Sequence, residues 1–332
     1  MKVTLRDISK STGYSLSTVS RVLRGSDKYS SKTVESILNA AKKLKYPLER
    51  VNTAGFNRPY NNIALITNFK EGEFYASFFY GYIQGIQESD YKISLISLPE
   101  PRAMFRKNLE CLYDQHFSGA ILFIPEFTKE DYENILEYLP ADFLVVSNAL
   151  IENPVLPTVT FDGYSAGHNV AVHFKDRGYS TTGIVKGPNF KAESRFRYNG
   201  FRDYIAQQDG IDLIFEFEGD FTYDAGCRAF DAYMALENKP QSIFFSNDLM
   251  CHGFLQSAHN AGLSIPDDVA LAGYDDLPMC VHSHPKLTSA KTDFRRLSQA
   301  TLRVLKNQQN ATRSVTGVLS LIPVDVIVRE SS

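Results

Sequence analysis

Long apolar runs are missing from this 332-residue chain: stretches such as Ala120–Pro125 fall far short of the ~20 residues that a membrane span requires. Met1-Lys2-Val3-Thr4 leads into a polar helical pattern rather than a signal-peptide core, so no membrane association and a cytoplasmic location are expected. Cysteine is sparse. Cys111, Cys227, Cys251 and Cys280 form no CxxC pair or other metal-ligand spacing, and they read as reduced, mostly buried thiols. Catalytic signatures are lacking too, with no GxSxG, Walker loop, GxGxxG or HExxH. Cys280-x-His282-x-His284 sits in a loop-like stretch before Pro285 without a partner cluster, so no metal is expected there. Adjacent Asp275 and Asp276 cannot straddle a glycosidic bond, and His168 and His173, five apart, do not share a helix face. Neither enzymatic activity nor a cofactor is expected.

Hydrophobic residues make up 43% and charged residues 22%, which excludes wholesale disorder and collagen-like repeats. The length suits two or three domains with large cores. The net charge of −3 hides an asymmetry. Residues 1–50 carry eleven of the 35 Lys/Arg and four of the 38 acids, a balance of +7 against −10 for the remainder. A small basic head on an acidic body fits a polyanion-binding module joined to something with another task, although a solvated helix face also gives a basic N-terminus.

The head reads as three short helices. Thr4 and Asp7 form a T-x-x-D capping pattern before a helix with Leu5 and Ile8 inward. Gly13 stops that helix, and Ser15 caps a second one with Leu16, Val19, Val22 and Leu23 as its apolar positions. Gly25-Ser26-Asp27 breaks it, and Ser30 or Ser31 opens a third that ends before Pro47. This is a helix-turn-helix pattern, with the second helix showing Leu16, Ser17, Thr18, Ser20 and Arg21 outward. Its N-terminal amides suit phosphate, and Arg21 can reach a guanine edge. Such a motif also serves as a dimerisation module, but the +7 charge favours DNA.

Residues 48–61 read as a linker. Beyond it, apolar strands alternate with amphipathic stretches: Ile63–Thr67, Lys92–Ser97, Gly119–Ile124, Phe143–Ser147, Thr158–Asp162, Thr182–Lys186, Ile214–Glu218, Ser242–Ser246 and Val269–Gly273. Their continuous apolar runs suit strands buried on both faces within parallel βα units. Nine units exceed one ordinary sheet, so the expected class is α/β with two parallel-sheet subdomains behind an all-α head.

TLRDISKSTGYSLSTVSRVLRG resembles the opening of the lactose-repressor (LacI/GalR) family. The likeness continues through Phe74-Tyr75 with Gly81, Phe161-Asp162-Gly163-Tyr164-Ser165-Ala166-Gly167, Arg197-Tyr198-Asn199-Gly200-Phe201 and Gly219-Asp220-Phe221. It then runs through Ser246-Asn247-Asp248, Ile265-Pro266-Asp267-Asp268-Val269, Gly273-Tyr274-Asp275-Asp276 and Val328-Arg329-Glu330-Ser331. The combination is specific, in order, and spans nearly the whole chain.

The resemblance implies a transcription regulator, probing double-stranded, pseudo-palindromic operator DNA as a homodimer and carrying a periplasmic-binding-protein-like body. The implied domains are 1–47 for the head, 48–61 for the hinge and 62–332 for the body. Within the body it implies one subdomain at about 62–159 and 292–319 and another at about 160–291 and 320–330. By the same likeness Leu16, Ser17 and Arg21 read bases, while Thr4, Thr18, Ser20, Ser30 and Tyr46 touch phosphate or sugar. A small, sugar-like effector would lie in a cleft against Phe74, Tyr75, Ser147, Arg197, Phe221, Asn247 and Asp275. Aromatic faces stack on ring C–H groups and the polar side chains bind hydroxyls. For Asn247 and Asp275 loop capping is the competing reading, and for Phe74 it is core packing.

Two departures stand out. At the hinge, Arg50-Val51-Asn52-Thr53-Ala54-Gly55-Phe56 has Gly55 where the family places a minor-groove leucine, leaving Phe56 as a substitute wedge. Ser147 and Asn148 stand where the family often has aspartate and arginine. Control by a phosphoprotein co-regulator, or by a purine or nucleoside, is the alternative within the class. A stand-alone sugar-binding protein would lack the basic head, and an enzyme fused to that head would need a catalytic constellation. The chain runs only to Ser332 without a tetramerisation helix, so a dimer is expected.

Overall fold

The computed structural model describes residues 3–23, 29–46, 62–87, 89–114, 117–138, 143–310 and 317–332. The hinge positions Gly55 and Phe56 lie outside the described residues. Contacts divide the chain into two units, one of Met1–Asn68, Asp90–Leu122 and Glu130–Val145, the other of Phe69–Ser89, Phe123–Lys129 and Val146–Ser332.

The first unit begins with the three expected helices, α1 (Leu5–Thr12), α2 (Leu16–Leu23) and α3 (Ser31–Lys43). Their apolar positions Leu5, Ile8, Val19, Val22, Leu23, Ile37 and Ala41 are buried. The unit continues through β1 (Asn62–Thr67), which pairs in parallel with β2 (Lys92–Ser97), and it includes α5 (Pro101–Asp114), β3 (Gly119–Phe123) and α6 (Lys129–Tyr138).

The second unit takes in α4 (Glu73–Ile86), the second half of β4 (Leu144–Ser147), β5 (Thr158–Phe161) and α7 (Gly163–Asp176). It goes on with β6 (Thr181–Lys186), α8 (Ala192–Ala206), β7 (Asp212–Glu218), α9 (Tyr223–Met234), β8 (Ser242–Phe245) and α10 (Asp248–Asn260). The rest is β9 (Ala270–Asp275), α11 (Met279–His282), β10 (Thr288–Lys291), α12 (Phe294–Asn310), β11 (Leu319–Ile322) and β12 (Asp325–Ile327). One sheet has the order β11-β5-β4-β3-β1-β2 and the other β12-β10-β9-β8-β6-β7, with only β10–β12 antiparallel among the described pairings.

Successive residues of the second sheet feed opposite cores. Ile243 and Phe245 join Val185, Phe254 and Leu271 on one face. Phe244, between them, joins Ile184, Phe174, Phe201 and Tyr274 on the other. Each such side chain contributes about 1.5–3 kcal/mol by leaving water, which explains why β8 reads as an unbroken apolar run. Lys92–Ser97 and Ile214–Glu218 do not share the expected burial on both faces. Both lie at sheet edges, where Leu95 and Ile214 are exposed. Three strands beyond the nine expected are present among the described residues. β10, Thr288-Ser289-Ala290-Lys291, lacks large apolar residues, and β11 and β12 are edge strands of four and three residues, so none forms a long apolar run.

The glycines of the motifs bring helices together. A Cβ on Gly167 would lie 2.1 Å from the Arg197 carbonyl oxygen, and one on Gly200 would lie 1.9 Å from that of Tyr164, so α7 and α8 cross backbone to backbone. Gly226 and Gly253 do the same for α9 and α10, against Met250 and Tyr223. Gly81 and Gly85 seat α4 on Phe294 and Ser298 of α12. Replacing Gly200 by alanine must part α7 from α8, a cost of at least about 1–3 kcal/mol by overpacking. Urea unfolding checks this, and a loss under ~0.5 kcal/mol, the range of an ordinary surface substitution, would contradict the crossing.

Candidate functional site

The head is shaped by its caps. The Thr4 N–H donates to Asp7 Oδ2 at 2.8 Å and the Thr4 hydroxyl donates to the same oxygen at 2.9 Å. These bonds hold the Asp7 carboxyl below its ordinary pKa. Gly13, at φ 74°, ends α1 with its N–H on the Ser9 carbonyl at 2.9 Å. Ser15 Oγ accepts from the Thr18 N–H at 3.1 Å and also meets the hydroxyls of Ser17 and Thr18. Ser30, exposed, settles the start of α3 by accepting from the Thr33 N–H at 3.3 Å. Leu16, Ser17, Thr18, Arg21 and Tyr46 are half-buried.

Ser20 departs from the expected outward display. It is only 1% exposed, and its Oγ has no hydrogen-bond partner among the described residues. Ser20 follows Val19 and stands one turn before Leu23, so it falls on the flank of the helix that packs inward.

The body's candidate residues fall into three groups. Arg197, on α8, is the centre of the first. Its guanidinium lies 3.6 Å from the Tyr274 ring centroid and 5.8 Å from that of Phe221, and Nη1 donates to the Ser246 carbonyl. Asp275, at the end of β9, is 5% exposed. Burial pushes its carboxyl well above the ordinary value, opposed by Arg197 and reinforced by Asp248. Arg197 Nε, Asp275 Oδ1 and Ser246 Oγ are buried with no hydrogen-bond partner among the described residues. A buried polar atom without a partner costs about 1–3 kcal/mol, so three at one place make this the candidate site for a polar ligand.

Phe221 and Asn247 form the second group. Phe221 has φ 69°, which costs on the order of 1–3 kcal/mol for a side chain of this kind. Asn247 holds it there, donating through Nδ2 to the Phe221 carbonyl at 3.0 Å while Oδ1 accepts from the Met250 N–H at 3.0 Å. Asn247 therefore caps α10 and positions the aromatic ring. A Cβ on Gly187 would lie 2.1 Å from that ring, so only glycine lets it seat.

The third group lies on α4 and β4. Phe74 is half-buried in an aromatic cluster, with ring centroids 5.4 Å from Tyr75, 5.5 Å from Phe294 and 5.7 Å from Phe123. Tyr75 is half-buried beside Phe69 at 5.4 Å. Ser147 does not stand free for a ligand as expected: it is fully buried, and its hydroxyl donates to the Ala149 carbonyl at 2.8 Å. Its neighbour Asn148 accepts from the Tyr82 hydroxyl and donates to Val159 O at 2.8 Å and to Thr301 Oγ1 at 2.9 Å. The Ser147–Asn148 departure thus goes with a buried polar node between α4, β5 and α12.

Tyr274, Ser246, Gly187 and Asp248 were not named as site residues from the sequence. Tyr274, Ser246 and Asp248 belong to quoted motifs and Gly187 follows the strand ending at Lys186, but single letters do not show which side chain will be left without a partner. Of the cysteines, Cys251 and Cys280 are buried, whereas Cys111 is exposed and Cys227 is intermediate, so burial is less general than expected. No group of three or more possible metal-ligating residues lies together among the described residues.

Residues 4–47 match the family described as bacterial regulatory proteins, lacI family, and residues 171–332 match the periplasmic binding protein-like domain. The chain thus carries a LacI-family head and a periplasmic-binding-protein-like domain. A chain so built is a DNA-binding transcriptional regulator, and the proteins it resembles are regulators, not enzymes. It is 24% identical over 307 residues to the HTH-type transcriptional repressor PurR of Mannheimia succiniciproducens, covering 91% of this chain and 90% of that one. It is 26% identical over 320 residues to the ribose operon repressor of Escherichia coli K12, covering 91% and 92%. Among solved structures, it is similar to the Lac repressor bound to ONPG in the repressed state, with TM-score 0.72, 22% identity and full coverage of both chains. The transcriptional regulator CelR–cellobiose complex gives TM-score 0.70 at 23% identity, again over both chains entirely. No helix among the described residues is long and apolar enough to cross a membrane.

Asp248 of the periplasmic-binding-protein-like domain is fully buried, and burial pushes its carboxyl up to about 7. As pH rises from about 4, the unfolded chain releases this proton while the folded chain keeps it, so stability falls until about pH 7 and then levels. Asp275 adds to the same slope. Asp248→Asn removes one contributor, so melting temperature plotted from pH 4 to 7 should decline less steeply in the variant. An unchanged slope would contradict this.

Proposed function

We propose that this regulator is a repressor of carbohydrate-utilisation genes, released from or recruited to its operator by a small neutral sugar held around Arg197. The observation that carries the reading is the set of unpartnered polar atoms, Arg197 Nε, Asp275 Oδ1 and Ser246 Oγ, beside the Tyr274 and Phe221 rings. A sugar hydroxyl both donates and accepts, so it can complete the guanidinium and the carboxyl together. Its C–H face suits the aromatic ring that Asn247 holds in place. The named relatives support the same chemistry, one being a ribose operon repressor and another a regulator in complex with cellobiose. Two heads, 1–47, joined through residues 48–61 to a body that pairs as a homodimer, would read a pseudo-palindromic operator in the cytoplasm. In each head Leu16, Ser17 and Arg21 face bases, and Thr4, Thr18, Ser30 and Tyr46 lie at the phosphates. Effector binding favours one closure state of the 62–159/292–319 and 160–291/320–330 subdomains, which resets the spacing of the heads.

The operator is obtained by selection from random duplexes, and its complex is then titrated with ribose, cellobiose, their phosphates and hypoxanthine. The expected result is at least a tenfold change in operator affinity with a neutral sugar. A response to hypoxanthine alone would replace the carbohydrate reading with a purine one. Arg21→Ala should weaken the selected site by about 10–100-fold, the worth of one bidentate base contact, with a smaller loss on random duplex. Equal losses on both, read by fluorescence anisotropy, would limit Arg21 to phosphate.

A further inference from the structure

Three consecutive residues end β9 in an unusual way. Asp275 has φ 114° and Asp276 has φ 56°, so two non-glycine residues in succession occupy the left-handed half of conformational space. The turn from 275 to 277 is nevertheless pinned at each backbone polar group that faces the interior. The Asp275 carbonyl accepts from the Thr292 N–H at 3.2 Å and from its hydroxyl at 2.9 Å. The Asp276 N–H donates to Ser289 Oγ at 3.0 Å, and that hydroxyl in turn donates to Asp248 Oδ1 at 2.6 Å. The Leu277 N–H donates to Asp248 Oδ2 at 2.8 Å.

The turn is also held from the end of the chain. Arg329 Nη2 donates to Asp276 Oδ1 at 2.6 Å, with side chains only 15% and 9% exposed, and Arg329 Nη1 donates to the Leu287 carbonyl at 2.6 Å. Its own N–H donates to Thr288 Oγ1 at 2.9 Å. Gly273 is part of the device, since a Cβ there would lie 2.2 Å from Asp248 Oδ1. Amid these satisfied groups, Asp275 Oδ1 stays buried without a partner.

We infer that Arg329, Asp276, Ser289 and Asp248 form a clamp that holds Asp275 in a strained turn, keeping its buried Oδ1 inside the site instead of letting the carboxyl swing to water. These four are positioning residues: they act through Asp275. The inference rests on the reading of Asp275 as an effector contact, but its test needs no effector. The charged or titratable groups facing Asp275 are Arg197 from α8, Asp248 from α10 and the Tyr274 phenol from β9, with the Asp276–Arg329 pair behind the turn.

The experiment is a double-mutant cycle on thermal unfolding of the full chain, at pH 5 and pH 8. The stability cost of a buried carboxyl with a raised pKa keeps growing with pH from its unfolded value until the folded group ionises, so Asp275→Asn should raise the melting temperature at pH 8 by about 2 °C or more, and by less at pH 5. With the clamp cut by Arg329→Gln, the carboxyl is free to leave, and the gain from Asp275→Asn should disappear. Arg329→Lys, which keeps the charge, should restore part of it. Should Arg329→Gln fail to fold, Ser289→Ala cuts the same chain of bonds and serves in its place. An equal gain from Asp275→Asn in clamped and cut proteins would overturn the clamp, as would no gain at pH 8 in the clamped protein. Failure of the sugar titrations alone would remove the effector reading and leave the clamp standing.

Discussion

A guanidinium laid on a tyrosine ring organises the body of this regulator. Arg197 is held by the Tyr274 face and the Ser246 carbonyl, which fixes the direction of its remaining N–H groups. The stacked arrangement and the planar fork are properties of arginine that lysine does not share. With Arg197 so held, its Nε, Asp275 Oδ1 and the Ser246 hydroxyl are buried close together without hydrogen-bond partners among the described residues. Preorganisation of this kind lowers what binding must spend on ordering side chains.

That placement depends in turn on backbones that approach without side chains between them. Gly167 and Gly200 let α7 and α8 touch, which sets the height of Arg197 above the sheet. Gly187 gives Phe221 a flat seat, and Asn247 keeps the same residue in a left-handed conformation. Gly273 makes room for the buried Asp248 carboxylate behind the Asp275 turn. The strain at Phe221, Asp275 and Asp276 is thus gathered around the unpartnered atoms, where a ligand would draw on it.

Much of this was legible in the residues alone. Nine strands, the three head helices, the Thr4–Asp7 and Ser15 caps and the Gly13 stop follow from apolar periodicity and turn chemistry, which are local. Arg197, Phe221 and Asp275 were singled out through resemblance to a family motif and do lie around one place. What could not be read is what depends on partners distant in sequence. Ser147 looked like a displaced ligand contact, yet its hydroxyl is spent on Ala149, and Asn148 beside it is spent on Tyr82 and Thr301. Ser20 falls on the packed flank of α2, because 100° per residue brings it near Leu23 and Leu16 rather than near Arg21's outer edge. Arg329 lies more than fifty residues beyond the aspartate it pairs with, and no short pattern ties the two. The strands β10 to β12 are only three or four residues long, too short to carry a periodic signal of their own.

The most direct test of the central claim is a thermal-shift screen of the purified full chain against neutral sugars, sugar phosphates, purines and nucleosides, run in parallel on Arg197→Gln. A ligand at 100 times its Kd stabilises the folded state by about 2.7 kcal/mol, a shift that is easily resolved. The account predicts stabilisation by a neutral sugar that Arg197→Gln abolishes while keeping its ligand-free melting temperature within a few degrees of the wild type. Stabilisation that persists undiminished in Arg197→Gln would contradict it, because the ligand would then be held somewhere other than the unpartnered atoms around that guanidinium.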